Sequence, residues 1–317
     1  AKSMMLRENL VKGTTTLNNP FPNAQVGDLI QLRSNRLLDT DSRGKWVIGQ
    51  VFRIQLIKDG KLYFGNSVVE DFSYSAPITI TATSTGTSSV QFSGLDTNDG
   101  TYVITGLTGA NAGVSRGIFT WDNSTKTATF DTVWDQVWPK PVAKGDTFEF
   151  QRSIEAVHIK PAKVEVHGPF KFMADLSVNN PERLNLRTGL HINYAIDSAV
   201  VDIETEGFSY AGLSFGVTYN TLATRMNLKN TNDSSTGYGF TAGASSYSNF
   251  SNAVISGCRS GFTTGSGACL AVGNLYSDMV IHRGIPYFNT GAEMTGYGFG
   301  GHGNAHSNVY SNITCPK

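Results

Sequence analysis

The run Val201-Asp202-Ile203-Glu204-Thr205-Glu206 sets three carboxylates at every second position. In a strand, successive side chains point to opposite faces, so Asp202, Glu204 and Glu206 share one face while Val201 and Ile203 point inward. Neighbouring same-face positions lie about 6.6 Å apart, twice the ~3.3 Å rise per residue. That is near the lower edge of the roughly 6.5 to 9.5 Å between the two carboxyls of an inverting glycosidase. Crowding of like charges raises one carboxyl pKa, which lets one group serve as acid and another as base. The same alternation also makes a solvated strand face whose charges keep an edge from pairing.

A second group, Asp278, His282 and Arg283, lies between Tyr276 and Gly284. A histidine base with an arginine clamped on a uronate carboxylate suits β-elimination from an acidic polysaccharide. Asp278, however, aligns with Asn252 and Asn308 as a turn residue, an objection that His282 and Arg283 escape. His302 and His306 are four apart, but the glycines at 300, 301 and 303 argue against the helix that would join them on one face, so no metal site is expected. Gly298-x-Gly300-x-x-Gly303 formally matches a dinucleotide fingerprint without the βαβ unit it needs, and no cofactor is implied. Tyr102, Trp121, Trp134 and Trp138 offer flat faces on which sugar rings stack; Trp134 and Trp138 bracket Asp135-Gln136-Val137 and form the pair expected at the surface. A small β-domain also uses such aromatics for its own core.

These residues must be positioned by strands. Gly189-Leu190, Gly212-Leu213, Gly239-Phe240, Gly261-Phe262 and Gly298-Phe299 begin five similar stretches, with their glycines 23, 27, 22 and 37 residues apart. A period in this range, carrying strands rather than helical stripes, indicates a solenoid or propeller. Corners at Ser198-Ala199, Ser251-Asn252, Ser277-Asp278 and Ser307-Asn308 lead into apolar runs. Short polar side chains that bond one another or nearby backbone as rungs stack favour a parallel β-helix. Residues 1–74 alternate strands and turns, with a hairpin at Asp59-Gly60. Residues 75–151 turn Thr-, Ser- and Gly-rich, which predicts an inserted antiparallel β-domain, a candidate for carbohydrate binding; residues 152–317 hold the repeats.

The 317 residues carry 25 basic and 25 acidic side chains, a balance that removes the electrostatic case for nucleic acid or an anionic membrane as partner. Three cysteines without metal or C-x-x-C spacing, Cys258, Cys269 and Cys315, read as small apolar residues. No stretch reaches the ~18 apolar residues of a membrane span, and residues 1–10 lack a signal-peptide core, so no membrane insertion is expected. The chain begins without Met and stops just after a repeat-like strand, and it reads as the middle of a longer polypeptide.

Gly27-Asp28-Leu29-Ile30-Gln31-Leu32, followed by Gly49-Gln50-Val51-Phe52-Arg53-Ile54 and a hairpin, resembles the opening rungs of bacteriophage tailspike proteins. Gly257-Cys258-Arg259-Ser260-Gly261-Phe262-Thr263-Thr264-Gly265 and the Asn/Ser corners are similar to their later rungs. The resemblance covers about residues 13–72 and 164–315. It implies an all-β chain: a right-handed, single-stranded parallel β-helix (solenoid) with an inserted small antiparallel β-domain. It further implies a homotrimer on the phage tail, in the virion, beside other tail proteins. Such a spike binds and depolymerises bacterial surface polysaccharide, capsule or O-antigen, mostly by hydrolysis and in some members by β-elimination. The expectation is therefore a depolymerase using the surface carboxylates, with a non-catalytic glycan-binding spike and a lyase as alternatives. The family's virion-attachment head and trimerisation region lie outside this chain.

Overall fold

The computed structural model describes residues 2–6, 8–41, 44–69, 71–72, 76–94, 103–117, 120–130, 137–151, 154–174, 187–231, 237–265, 270–282, 297–301 and 305–316. From Glu165 onward the chain winds into a parallel β-helix. Six strands, Glu165–Met173, Ala199–Glu206, Leu222–Lys229, Asn249–Ser256, Leu275–Ile281 and Val309–Thr314, pair in parallel in chain order and number rungs 1 to 6. A second parallel sheet stacks Thr188–Ile192, Ala211–Tyr219, Tyr238–Ser246, Ser260–Thr264 and Tyr297–Gly301. Between the two sheets the apolar residues stack in register. The Phe240 and Phe262 rings lie 4.8 Å apart and 7° from parallel, and Tyr276 continues the stack 5.1 Å from Phe262.

The recurring glycines have a packing reason. The register Thr188, Ala211, Tyr238, Ser260 places the glycine after each in one column. A Cβ on Gly189 would sit 2.7 Å from the Gly212 carbonyl oxygen, and one on Gly212 would sit 2.8 Å from that of Gly239. Close approach of rung backbones, rather than an unusual φ, selects glycine here.

The corners differ from the expected alignment. Ser251 and Ser277 do pair, but Val201 and Ser311 share their column, whereas Ser198 and Ser307 do not. Ser198 belongs with Thr221, Ser248, Asn274 and Asn308, one residue ahead of each strand. There side chains cap the rung before: Val164 N–H donates to Ser198 Oγ at 2.9 Å, Thr221 N–H to Ser248 Oγ at 3.0 Å, and the Ser248 and Asn274 N–H groups to Asn274 and Asn308 Oδ1 at 2.9 Å. Short polar side chains thus bond the stacked backbone as anticipated, at the expected Ser198 but three positions before Ser251 and Ser277 and one after Ser307. A second column explains the slip: Asp202, Arg225, Asn252, Asp278 and Asn312 all have positive φ, between 49° and 59°. Each bends its strand midway, and the resulting Asn/Asp pattern mimics a corner.

Residues 2–72 are not parallel rungs. They form an antiparallel sheet in the order Lys2–Leu6, Ile154–Ile159, Leu29–Asp41, Gly44–Lys58, Lys61–Phe64, Thr16–Asn18. Asp59 and Gly60 both have positive φ, the geometry of a tight hairpin turn, and this turn fixes an antiparallel pair. Ile154–Ile159 belongs to this sheet too. The sheet covers the solenoid, with Leu29, Val51, Val157 and Ile159 packed on Ile196, Val217, Tyr219 and Ala244. Between Lys61–Phe64 and Ile154–Ile159 the chain makes a second antiparallel sheet, of seven strands from Ile78 to Gln151, closed around Phe92, Phe130, Trp138 and Phe148.

Candidate functional site

Rungs 1 to 3 bring Asp202 and Glu204 of the acidic run into one groove, with Glu206 just beyond it. Along Ala199–Glu206 the core residues are Val200 and Ile203, three apart because the left-handed Asp202 shifts the alternation by one; Val201 and Thr205 are buried too, and Asp202, Glu204 and Glu206 stay partly exposed. Rung 1 breaks register against rung 2 between His167 and Phe170, opposite the left-handed Asp202. A Cβ on Gly168 would run into the Asp202 carbonyl oxygen, so glycine is needed where the two backbones meet. The irregularity turns Pro169 and Phe170 outward, Phe170 with half its surface open. Pro169, Phe170, Lys171, Asp202, Ile203, Glu204, Arg225 and Asn227 line an open groove of about 270 Å³.

The two carboxylates that line it, and Glu206 just beyond, each have a partner from an adjacent rung. Arg225 Nε and Nη2 donate to Asp202 Oδ1 and Oδ2 at 2.5 and 2.7 Å. Lys171 Nζ lies 2.6 Å and Lys229 Nζ 3.4 Å from Glu204 Oε1, and Asn227 Nδ2 donates to Oε2 at 3.1 Å. Glu206 accepts from Asn230 Nδ2 at 2.9 Å, with Lys171 at 3.9 Å. The hydrogen bond from Arg225 holds the Asp202 carboxyl below the usual carboxylate range; that from Lys171, helped by the charge of Lys229, does the same to Glu204. Lys171 is raised in turn by its bond to Glu204. Both shifts favour the ionised form, the form of a general base rather than of a proton donor.

The other expected residues do not join them. His282 is exposed at the end of the rung 5 strand, where its N–H bonds the Ile255 carbonyl at 2.8 Å, three rungs from the Asp202 strand. Arg283 lies outside the described residues. Asp278 stands in the same left-handed column as Asp202, and its neighbour is Asn312, whose Nδ2 donates to it at 2.7 Å, rather than Asn308. Trp138 is 1% exposed and packs edge-on to Phe130 at 5.4 Å, so it cannot stack on a sugar. The hydrophobic demand of a small sheet claims it. Trp121 is half-buried against the same core, and its Nε1 donates to Asn123 Oδ1 at 2.8 Å. Tyr102, Trp134 and His302 lie outside the described residues. Among the described residues no group of three His, Cys, Asp or Glu is arranged to hold a metal.

Sequence reasoning passed over Phe170, Lys171, Arg225 and Asn227. Gly168-Pro169 inside a strand-forming run was the available signal, because proline in a strand marks an edge or a bulge. The cationic partners have no such mark, since only the rung register brings positions 23 to 33 apart into contact.

No protein-family model and no curated protein sequence matches the chain. Solved structures do. The tailspike protein gp49 from Pseudomonas phage LKA1 superposes at a TM-score of 0.52 with 11% identity, over 98% of this chain and 39% of that one. The Gp54 tailspike of Acinetobacter baumannii bacteriophage AP22, solved in complex with A. baumannii capsular saccharide, superposes at 0.54 with 11% identity, over 98% and 38%. The chain thus spans about two fifths of the length of these tailspikes. Antiparallel sheets at the start and stacked parallel rungs behind them make this a tailspike-like β-helix fold.

Proposed function

We propose that this chain is the glycan-engaging β-helix of a phage tailspike, and that it holds a bacterial surface polysaccharide, capsule or O-antigen, in the groove across rungs 1 to 3. The observation that carries the reading is the half-open Phe170 ring beside a fixed array of Asp202, Glu204, Arg225 and Asn227. An apolar ring face receives the C–H side of a pyranose, and oriented carboxylates and amides receive its hydroxyls. A place on the phage tail, beside other tail proteins and as a homotrimer, goes with this reading. The test is equilibrium binding to a panel of purified capsules and O-antigens. Retention of at least one, lost in Phe170→Ala at unchanged melting temperature, is expected; retention of none by the wild type rejects the proposal.

Cleavage is the second reading, and Glu206 is the residue that favours it. Among the described residues its nearest ion-pair partner is Lys171 at 3.9 Å, farther than the cations that meet Asp202 and Glu204. Hydrolysis of a bound glycan releases new reducing ends, and elimination produces an unsaturated product that absorbs in the ultraviolet. Either signal, abolished in Glu206→Gln while binding persists, establishes an enzyme; a bound glycan that keeps its chain length establishes a binding spike.

A further inference from the structure

We infer that the groove across rungs 1 to 3 selects uncharged sugar residues and turns away uronates and other anionic sugars. The inference rests on the glycan-binding reading above and adds the charge class of the ligand.

The lining holds two cations, Lys171 and Arg225, against two carboxylates, Asp202 and Glu204. Just beyond it Lys229 and Glu206 add one of each sign, so the formal charge of the site cancels. More telling is how the cations are spent. The guanidinium of Arg225 presents Nε and Nη2 to both Asp202 oxygens, the fork arrangement by which arginine would otherwise grip a ligand carboxylate. Lys171 and Lys229 converge on one oxygen of Glu204. An incoming carboxylate would have to displace a resident one from the same cation and then remain beside it, at a cost set by like-charge repulsion. Specificity of this kind comes from the repulsive element as much as from attraction.

A neutral sugar faces no such exchange. Asp202 Oδ1 and Oδ2 and Glu204 Oε2, each bonded once, keep a further lone pair for a hydroxyl proton, and Asn227, which gives its amide N–H to Glu204, has its carbonyl oxygen as an acceptor. The ring's C–H face can lie on Phe170 at the groove's edge. At about 270 Å³ the space falls just below the usual range of ligand sites, roughly 300 to 1,000 Å³, which suits a short stretch of chain.

The experiment compares neutral with uronate-containing capsular and O-antigen polysaccharides, with polygalacturonate as the anionic probe, at low and high sodium chloride. The wild type should bind neutral glycans with affinity changing less than about twofold across the salt range, because no net charge is being neutralised. Polygalacturonate should bind at least about tenfold more weakly. Asp202→Asn with Glu204→Gln unlocks Arg225 and Lys171, and should raise polygalacturonate affinity by about tenfold or more, in a salt-sensitive way, with circular dichroism confirming the fold. Tighter wild-type binding to uronates, or no gain in the double variant, overturns charge selection while leaving glycan binding intact. Binding of neither class by the wild type removes the glycan reading and this inference together.

Discussion

Arg225 and Asp202 lie 23 residues apart, on rungs 3 and 2, and meet through two hydrogen bonds of 2.5 and 2.7 Å while both adopt the left-handed backbone conformation. The contact is vertical, between rungs, and the bend in each strand is what aims the two side chains along the solenoid axis. Replacing Arg225 by Gln should therefore raise the Asp202 carboxyl pKa toward its ordinary value. Carboxylate-detected NMR titration checks this; an unmoved Asp202 would show that the pair does not hold its proton off.

The acid limb of stability follows from the same groups. Asp202 and Glu204 are both held below the ordinary range, so the stability their pairs contribute is complete above the unfolded values, about 4, and drains away as pH falls through the lower folded ones. Wild type should lose stability more steeply below that point than Arg225→Gln or Lys171→Gln. Denaturant midpoints measured at a series of acidic pH values decide it, and parallel curves would contradict the expectation.

Gly239→Ala should destabilise by about 1 to 3 kcal/mol, the usual cost of overpacking. The new methyl meets the Gly261 carbonyl oxygen and the Ile255 side chain with no room between rungs. Urea unfolding gives the number. A neutral result would mean that the column can spread at this point.

Phe240→Ala opens the stack at its middle, where Phe240 touches the rings of Phe262, Phe250 and Tyr276. A loss of about 3 to 5 kcal/mol is expected, as for other large core aromatics. Thermal unfolding monitored in the near ultraviolet should show a reduced midpoint together with a weaker aromatic signal.

Trp138 and Phe170 make an opposed pair of tests. Trp138→Ala should lower the melting temperature of the seven-stranded sheet and leave glycan retention alone, since its ring is enclosed by Phe130 and Phe148. Phe170→Ala should do the reverse. Measuring melting and retention on both variants gives a two-by-two result, and loss of retention in Trp138→Ala would return the aromatic site to the antiparallel sheet.

The glycine repeats are legible in the sequence because backbone crowding permits one residue type only, and Leu190, Leu213, Phe240 and Phe262 after them follow as the core column. The carboxylate face is legible too, because Asp202, Glu204 and Glu206 all stay partly exposed, although the bend at Asp202 sets the core residues Val200 and Ile203 three positions apart. What stays hidden is anything set by register. Ser198 reads as a partner of Ser251 because Ser and Asn occur in two separate columns three residues apart, and a one-dimensional alignment slides between them. Arg225 escapes notice since arginine is not a customary left-handed residue, though it occupies that conformation. Trp138 misleads in the opposite direction: its type suits both a sugar platform and a core, and only the closure of seven strands around it decides.

The left-handed column has a consequence for how such a surface can change over time. Asp202, Arg225, Asn252, Asp278 and Asn312 point away from the core at matching heights, each on its own rung. Substituting one alters the exterior without repacking Phe240, Phe250 or Tyr276, and the backbone tax is about 1 kcal/mol for residues less suited to that conformation than Asn or Asp. The fold thereby separates a packed interior from a row of rewritable letters, and a lineage or an engineer can edit the row one rung at a time.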